Sequence, residues 1–374
     1  MNRKPYALYA ITKHGIQIAE RLLPALPGAQ LLVSQKLYAQ AAPGAIAIPL
    51  PLGPVLRDTF GAYDCHVFVI SVGAVVRLIA PLLQDKKIDP AVICVDDAAR
   101  FAICVLSGHV GRGNAYCDRV AAALGAQSVV TTASDVRGTL TVDILGRELG
   151  WTLEDPERNV TRACAAVVNE TRVAFVQETG EPNFWPLDRP LPIGIEYRTA
   201  LDAIDPDAYE TLLVVSDRDL QKSHPAHFAR SVIYRPKSLI LGLGCDRDTP
   251  LGLLERGVQA TLGRFGLAIE SVKGVATIDK KSDEQGLLEL CARRGWPLQT
   301  YADVALDAVD MPSPSETVKR HVGTRGVAEP SALLASGASR LVVEKQIYTE
   351  SGAGRSMTLA VARLPFPARA EAKP

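Results

Sequence analysis

Short apolar runs alternate with helix-period segments over residues 1–150. The runs at 7–11, 31–34, 66–71, 91–95, 101–106 and 128–132 read as strands. After the first run, Ile18, Leu22 and Leu26 recur every four residues with Ala19 and Leu23 beside them, which predicts a helix with one buried face. Alternating strands and helices predict a mostly parallel, doubly wound sheet for this N-terminal α/β domain. Over 151–236 the pattern weakens and Pro182, Pro186, Pro190 and Pro192 cluster. A helix at 157–168 and strands at 172–177, 211–215 and 231–234 predict a smaller α/β middle section. From 237 to 366 the signal returns as an α/β C-terminal domain. A strand at 238–243 runs into Gly244, and Thr249-Pro250 reads as an N-cap followed by proline at the first helical position. Leu254, Val258 and Leu262 supply the apolar stripe of that helix. Ser282-Asp283-Glu284-Gln285 and Ser313-Pro314-Ser315-Glu316 read as capping boxes, and 341–344 and 357–363 as closing strands. Residues 367–374, rich in Ala, Pro and charge, read as a disordered tail. The whole is a multidomain α/β chain without a fixed-period repeat.

Composition narrows the possibilities. The 374 residues are 47% apolar and 22% charged, ordinary for a globular protein. Lys plus Arg equals Asp plus Glu at 41 each, so the basic excess of a duplex-binding surface is missing and no nucleic-acid partner is expected. The seven cysteines include no Cys-x-x-Cys pair, which speaks against a zinc ribbon or a thioredoxin-type motif. Their odd number and apolar surroundings predict free thiols in a reducing cytoplasm. The first apolar run stops at Lys13, short of a secretory signal, and Gly73, Arg77 and Pro81 interrupt the stretch 67–83, so no membrane span is expected.

Candidate chemistry lies where the predicted strands end. In an open parallel sheet, ligands bind beyond the carboxyl ends of the strands. The ends here are Thr12-Lys13-His14-Gly15, Ser71-Val72-Gly73, Asp96-Asp97, Ser107-Gly108-His109-Val110-Gly111-Arg112-Gly113-Asn114 and Thr131-Thr132-Ala133-Ser134-Asp135. If all strands are parallel, these segments converge on one edge. The three glycines of 107–114 permit close backbone approach, and the helix expected from Asn114 suits an anion. His109 suits general acid–base work near neutral pH, as histidine does, or is a satisfied histidine in a tight turn. Asp96 and Asp97 could orient water or belong to a solvated turn. Arg77, Lys86, Lys87 and Arg112 suit carboxylates, or form a solvated face. Gly242-Leu243-Gly244 after a strand resembles a dinucleotide fingerprint, but the third glycine position is Arg247, and no Gly-x-Ser-x-Gly elbow occurs. No His-rich or His-Glu-x-x-His helix suggests a protein-bound metal. The residues alone thus describe a polar cleft for an anionic ligand without fixing the reaction.

Several longer motifs stand in a distinctive order. They are Ile11-Thr12-Lys13-His14-Gly15, Gly73-Ala74-Val75-Val76-Arg77-Leu78-Ile79-Ala80-Pro81, Asp85-Lys86-Lys87, Leu106-Ser107-Gly108-His109-Val110-Gly111 and Thr131-Thr132-Ala133-Ser134-Asp135. Gly242-Leu243-Gly244-Cys245, Ala276-Thr277-Ile278-Asp279-Lys280-Lys281-Ser282-Asp283-Glu284, Pro314-Ser315-Glu316-Thr317-Val318 and Gly326-Val327-Ala328-Glu329-Pro330-Ser331-Ala332 follow. In this order they resemble the cobalt-precorrin-5A hydrolase family (CbiG) of anaerobic cobalamin biosynthesis over nearly the whole chain. The last section also resembles CobE, a stand-alone protein of the aerobic pathway. Two segments depart from the family pattern. Arg112-Gly113-Asn114 stands where Gly-Ala-Asn is usual, and Asp246-Arg247-Asp248-Thr249 stands where basic residues and a glycine are usual.

The resemblance implies a hydrolase. A ring-contracted cobalt corrinoid carries a δ-lactone, water opens it, and acetaldehyde leaves to give cobalt-precorrin-5B. Cobalt comes with the substrate, and no separate cofactor is implied. The chemistry needs a base for water, a site for the oxyanion and cations for the substrate's carboxylates. On this reading His109 or Asp135 is the base and Asp96 orients water. Lys13, Arg77, Lys86, Arg112 and Lys280 bind carboxylates. His14, Gly244 and the loop residues Ser107, Gly108, Gly111 and Asn114 contact substrate, the loop through its N–H groups. The rival reading is a non-catalytic carrier of corrinoid intermediates. Other enzymes of the pathway are candidate partners.

Overall fold

The computed structural model describes residues 3–85, 88–108, 111–132, 139–185, 190–352 and 354–368. The chain divides into two compact units, Met1–Ile144 and Leu145–Pro374.

The first unit is built on a seven-stranded sheet. Its strands are β1 (Lys4–Ala10), β2 (Ala29–Ser34), β3 (Ile46–Ile48), β4 (Tyr63–Val69), β5 (Ala91–Val95), β6 (Phe101–Leu106) and β7 (Gln127–Val129), in the order β3-β2-β1-β4-β5-β6-β7. Because side chains alternate across a strand, each buried strand feeds two cores. Leu8, Val67 and Ile93 pack with Ile18 and Leu22 of helix α1 (Lys13–Leu22). Tyr9, Phe68 and Val92 face the other way and pack with Leu56 of α2 (Leu52–Thr59) and with Val75 and Ile79 of α3 (Val72–Ile79). Helix α4 (Gly113–Leu124) adds Cys117 and Val120 to the first core. One histidine is a core residue. His66 is fully buried, with Nε2 3.0 Å from the Phe60 carbonyl and Nδ1 3.1 Å from the Tyr9 hydroxyl. Burial lowers its pKa to about 4, so it is neutral at pH 7.

The expectation of a single functional edge is corrected here. Strands β1 to β5 are mutually parallel. Strand β6 pairs antiparallel with β5, in the register Cys94↔Ile103, and β7 is parallel to β6. The last two strands therefore run against the other five. The hairpin is tight. Asp96 Oδ1 accepts the backbone N–H groups of Arg100 (2.8 Å) and Phe101 (2.7 Å), and Ala99 sits at φ 51°.

The second unit holds two sheets. The middle one comprises β8 (Thr152–Leu153), β9 (Val173–Gln177), β10 (Ile195–Arg198), β11 (Thr211–Val215) and β12 (Ser231–Arg235), in the order β10-β9-β11-β12-β8. It is parallel except for β8. The C-terminal sheet comprises β13 (Leu239–Cys245), β14 (Val272–Ile278), β15 (Leu298–Tyr301), β16 (Leu341–Thr349) and β17 (Ser356–Arg363), in the order β15-β14-β13-β17-β16. Here β13, β14 and β15 are parallel, and β17 is antiparallel to both its neighbours. Edge strand β16 shifts register twice against β17. Within this unit the buried Asp217 joins the two sheets. It accepts from Arg363 Nε and Nη2 at 2.6 and 2.7 Å and from the Ser238 hydroxyl at 2.8 Å.

Three expected helix caps are moved. The helix Leu251–Arg264 has Pro250, not Thr249, at its N-cap, and the Thr249 hydroxyl donates back to the Asp246 carbonyl at 2.8 Å. Glu284 caps Gln285–Arg294 through its backbone alone, because its carboxylate is taken by Lys281 and Arg247. Ser315, not Ser313, caps Glu316–Val322 by accepting from the Val318 N–H. The tail expected to be disordered lies largely outside the described residues.

Helix Ala328–Ser336 lies so close on β13 that a Cβ added to Gly242 would fall 1.8 Å from the Ala328 carbonyl oxygen. Gly242→Ala should cost about 3 kcal/mol through backbone displacement, read as a lower urea midpoint. Gly53→Ala, whose new Cβ has no neighbour within 4 Å in α2, should leave the midpoint unchanged or slightly raised.

Candidate active site

The first unit places the expected residues on two opposite edges. At the edge where β1 to β5 end, Thr12 caps α1, its hydroxyl accepting the Gly15 N–H at 2.9 Å. Gly15 is needed there, since a Cβ would sit 3.0 Å from that hydroxyl. The cap fixes the first turn of α1, which carries Lys13 and His14. His14 Nδ1 lies 3.1 Å from Asp97 Oδ2, and the Thr12 hydroxyl reaches Asp97 Oδ1 at 3.5 Å. A cleft of about 330 Å³ is lined by His14, Gln17, Ile18, Arg21 and Asp97. Arg77, exposed on α3, turns its guanidinium onto the Gly73 carbonyl at 2.8 Å. Lys13 is exposed.

Asp96 has a different task from the one expected. Its carboxylate closes the β5–β6 hairpin. Burial alone would raise its pKa, but hydrogen bonds from the backbone of Phe101, Arg100 and Ala98 prevail and hold it below its ordinary range. Its neighbour Asp97 is the carboxylate turned toward the cleft.

The loop after β6 is at the other edge, beside the start of β5, as the Val92↔Leu106 pairing requires. The Ser107 hydroxyl donates to the Asp89 carbonyl at 3.0 Å. Gly108, Gly111 and Gly113 are demanded by packing. Added Cβ atoms would fall 2.7 Å from Asn114 Oδ1, 2.5 Å from Ser107 Cβ and 2.7 Å from the Leu106 carbonyl, respectively. Two N–H groups at the start of α4 are already spent, Gly113 on the Ser107 carbonyl and Asn114 on the Gly108 carbonyl, both at 2.9 Å. The expected offer of loop N–H groups to a ligand is reduced accordingly. Asn114 Nδ2 donates to Thr132 Oγ1 at 2.8 Å, tying the loop to the segment after β7. Ser107 and Arg112 both have positive φ, 56° and 61°. Such backbone is costly for non-glycine residues and clusters at functional sites. His109, Asp135 and Lys86 lie outside the described residues.

In the second unit, Gly244 is near the end of β13 and Lys280 follows β14. Lys280 Nζ is engaged by Asp303 at 3.0 Å and by the Val322 carbonyl at 2.7 Å, and its hydrogen bond, with that of the Val304 N–H, holds the Asp303 carboxyl below the ordinary range. Arg247 forks onto Asp283 at 2.6 and 2.7 Å, and Asp246 accepts from the Ser356 N–H and hydroxyl. The unusual Asp246-Arg247-Asp248 segment is therefore internally paired at its first two positions. A cleft of about 670 Å³ that no motif announced is lined by Glu178, Thr179, Tyr197, Arg340, Arg363 and Phe366. Beside it Arg218 joins Glu178 (2.8 Å) and Asp202 (3.3 Å), and His224 adds to Asp202 at 2.6 Å. These residues are scattered through the weakest-patterned part of the sequence. Among the described residues no group of three His, Cys, Asp or Glu could hold a metal ion. No helix among them is long and apolar enough to cross a membrane.

Three family models match the chain: Cobalamin synthesis G N-terminal over residues 54–135, Cobalamin biosynthesis central region over 140–236, and Cobalamin synthesis G C-terminus over 239–362. A cobalt-precorrin-5A hydrolase of Priestia megaterium is 39% identical over 97% of this chain and 96% of its own length. One of Salmonella typhimurium is 30% identical over 88% of this chain and 91% of its own. Protein CobE of a Sinorhizobium species is 31% identical over 30% of this chain and 73% of its own length.

The hairpin carboxylate gives a pH-dependent expectation. Pulled down in the folded state, Asp96 contributes stability that is complete above the ordinary aspartate value of about 4 and is lost as pH falls through its lower folded value. Asp96→Asn should cost about 1–2 kcal/mol at pH 7. The gap from wild type should narrow below pH ~4, as hydrogen-exchange protection of the β5 and β6 amides would show.

Proposed function

The chain belongs to the cobalt-precorrin-5A hydrolase family, and from that membership we infer that it is a hydrolase of cobalamin biosynthesis acting on cobalt-precorrin-5A. The observation that carries this is 39% identity to such a hydrolase along 97% of the chain, with all three family segments present in order. Water opens the δ-lactone of the ring-contracted cobalt corrinoid. The freed alkoxide collapses to acetaldehyde as its carbon–carbon bond to the macrocycle breaks, leaving cobalt-precorrin-5B.

The substrate is a polycarboxylate macrocycle, and the exposed cations Lys13 and Arg77 are suited to its rim. Arg112, at the strained start of α4, and Lys280, already paired with Asp303, are further carboxylate contacts. His14, Ser107, Gly108, Gly111, Asn114 and Gly244 complete the expected contact set, with Lys86. His109 and Asp135 are the base candidates that the family resemblance implies. The conjugated macrocycle and its own cobalt take the electron pair released on cleavage, so the reading asks for no separate cofactor. Free, mostly buried thiols support a reducing compartment, the cytoplasm. Other enzymes of the pathway are candidate partners, since they supply the lactone and consume the product.

Purified protein mixed with cobalt-precorrin-5A should release acetaldehyde in step with corrinoid consumed, and none without protein. Tight corrinoid binding with no acetaldehyde would leave the carrier reading instead. Full turnover by His109→Ala would remove His109 as base.

A further inference from the structure

We propose that His14, held by Asp97, is the general base that takes the proton from the lactone-opening water, which puts the chemistry at the edge where β1 to β5 end. This rests on the hydrolase reading above and gives the base role to His14 in place of His109 and Asp135.

Four observations carry it. First, the pair has the geometry of an oriented imidazole. The Asp97 carboxylate can only accept, so at 3.1 Å it holds the proton on Nδ1 and leaves the Nε2 lone pair for water. Among the described residues nothing hydrogen-bonds Nε2. Second, both partners stand on fixed backbone. His14 is in the turn set by the Thr12 cap, and Asp97 follows the carboxylate that closes the β5–β6 hairpin. Third, the pair lines a cleft of about 330 Å³ and keeps 70% and 60% of its side-chain surface exposed. Fourth, His14 follows β1, the strand at which the sheet changes its direction of winding. The chain proceeds from β1 to β2 and β3 on one side, then crosses to β4 and β5 on the other. In open α/β sheets the crevice at such a switch point is where ligands bind.

The step balances without any further reactant. Nε2 takes one proton from water as the hydroxide oxygen bonds to the lactone carbonyl carbon. The tetrahedral intermediate expels the ring oxygen as an alkoxide and leaves a carboxylic acid, which ionises to solvent. The alkoxide oxygen forms the aldehyde double bond as the carbon–carbon bond breaks. The electron pair stays on the macrocycle, which receives the proton back from the imidazolium. His14 is the catalytic residue and Asp97 a positioning residue.

The test is acetaldehyde release from cobalt-precorrin-5A by the full chain and by His14→Ala, His14→Gln and Asp97→Asn, with and without added imidazole. His14 is at the surface, and circular dichroism checks that each variant folds. Both His14 variants should lose at least about 100-fold in kcat with KM changed little. Imidazole should restore part of the rate to His14→Ala and none to the bulkier His14→Gln. Asp97→Asn should lower kcat by about tenfold or more at similar KM, because an amide no longer dictates the tautomer. A His14→Ala enzyme as active as wild type overturns the proposal and leaves the hydrolase reading intact. So does a loss confined to KM, or a kcat loss that imidazole does not relieve, since each marks contact without base catalysis. No acetaldehyde from the wild-type chain removes the hydrolase reading and the base together.

Discussion

The split of the described candidate residues of the N-terminal unit between two edges depends on one turn. Where β5 ends, the Asp96 carboxylate gathers the N–H groups of Arg100 and Phe101, and the chain doubles back. A parallel continuation would have needed a crossover of a dozen residues or more. The reversal instead puts β6 beside β5 within a few residues and exchanges the ends of the last two strands. Five strands now deliver their loops to one edge and two deliver theirs to the other. Thr12, His14 and Asp97 meet because of it, and the Ser107–Gly108 turn is kept away from them for the same reason.

The second unit solves a different problem, that of joining two sheets. Asp217 is buried between them and satisfied by Arg363 and Ser238, and Arg235 is buried with its guanidinium on the Ser216 and Arg218 carbonyls and on Glu154. Taking such charges out of water is expensive, and the attraction of the pair only partly offsets it. What the pairs provide is position. An ion pair with two parallel hydrogen bonds admits one mutual arrangement of β17 and the end of β11, whereas apolar contacts tolerate several.

Much of this was legible in the amino-acid order. The buried strands are apolar runs, and 91–95 and 101–106 coincide with β5 and β6. Strand direction was not legible, because a strand buried on both faces carries the same residues whichever way it runs. Short edge strands also escaped. β3 has three residues, two of them exposed, in an apolar run of only four, and β10 has no fully buried position and no apolar run. Caps were misplaced where a side chain had a better partner, as Thr249 has in the Asp246 carbonyl. Within the site, Asp96 and Asp97 are adjacent and chemically identical in sequence. Only the backbone conformation separates the one that builds the turn from the one that faces the cleft. The Arg218–Glu178–Asp202–His224 cluster was invisible for another reason: its members come from separate loops with no common spacing.

Strand β16 has a consequence beyond the chain itself. It is nine residues long, it lies at the margin of its sheet, and Ile347 is 69% exposed on it. A straight strand of that length and character would be a template on which another polypeptide could pair and begin an aggregate. The two register shifts against β17 break its regular spacing of N–H and C=O groups, and Glu344 and Lys345 place charge within the second shift. The irregularity thus works against the pairing of this margin with another chain.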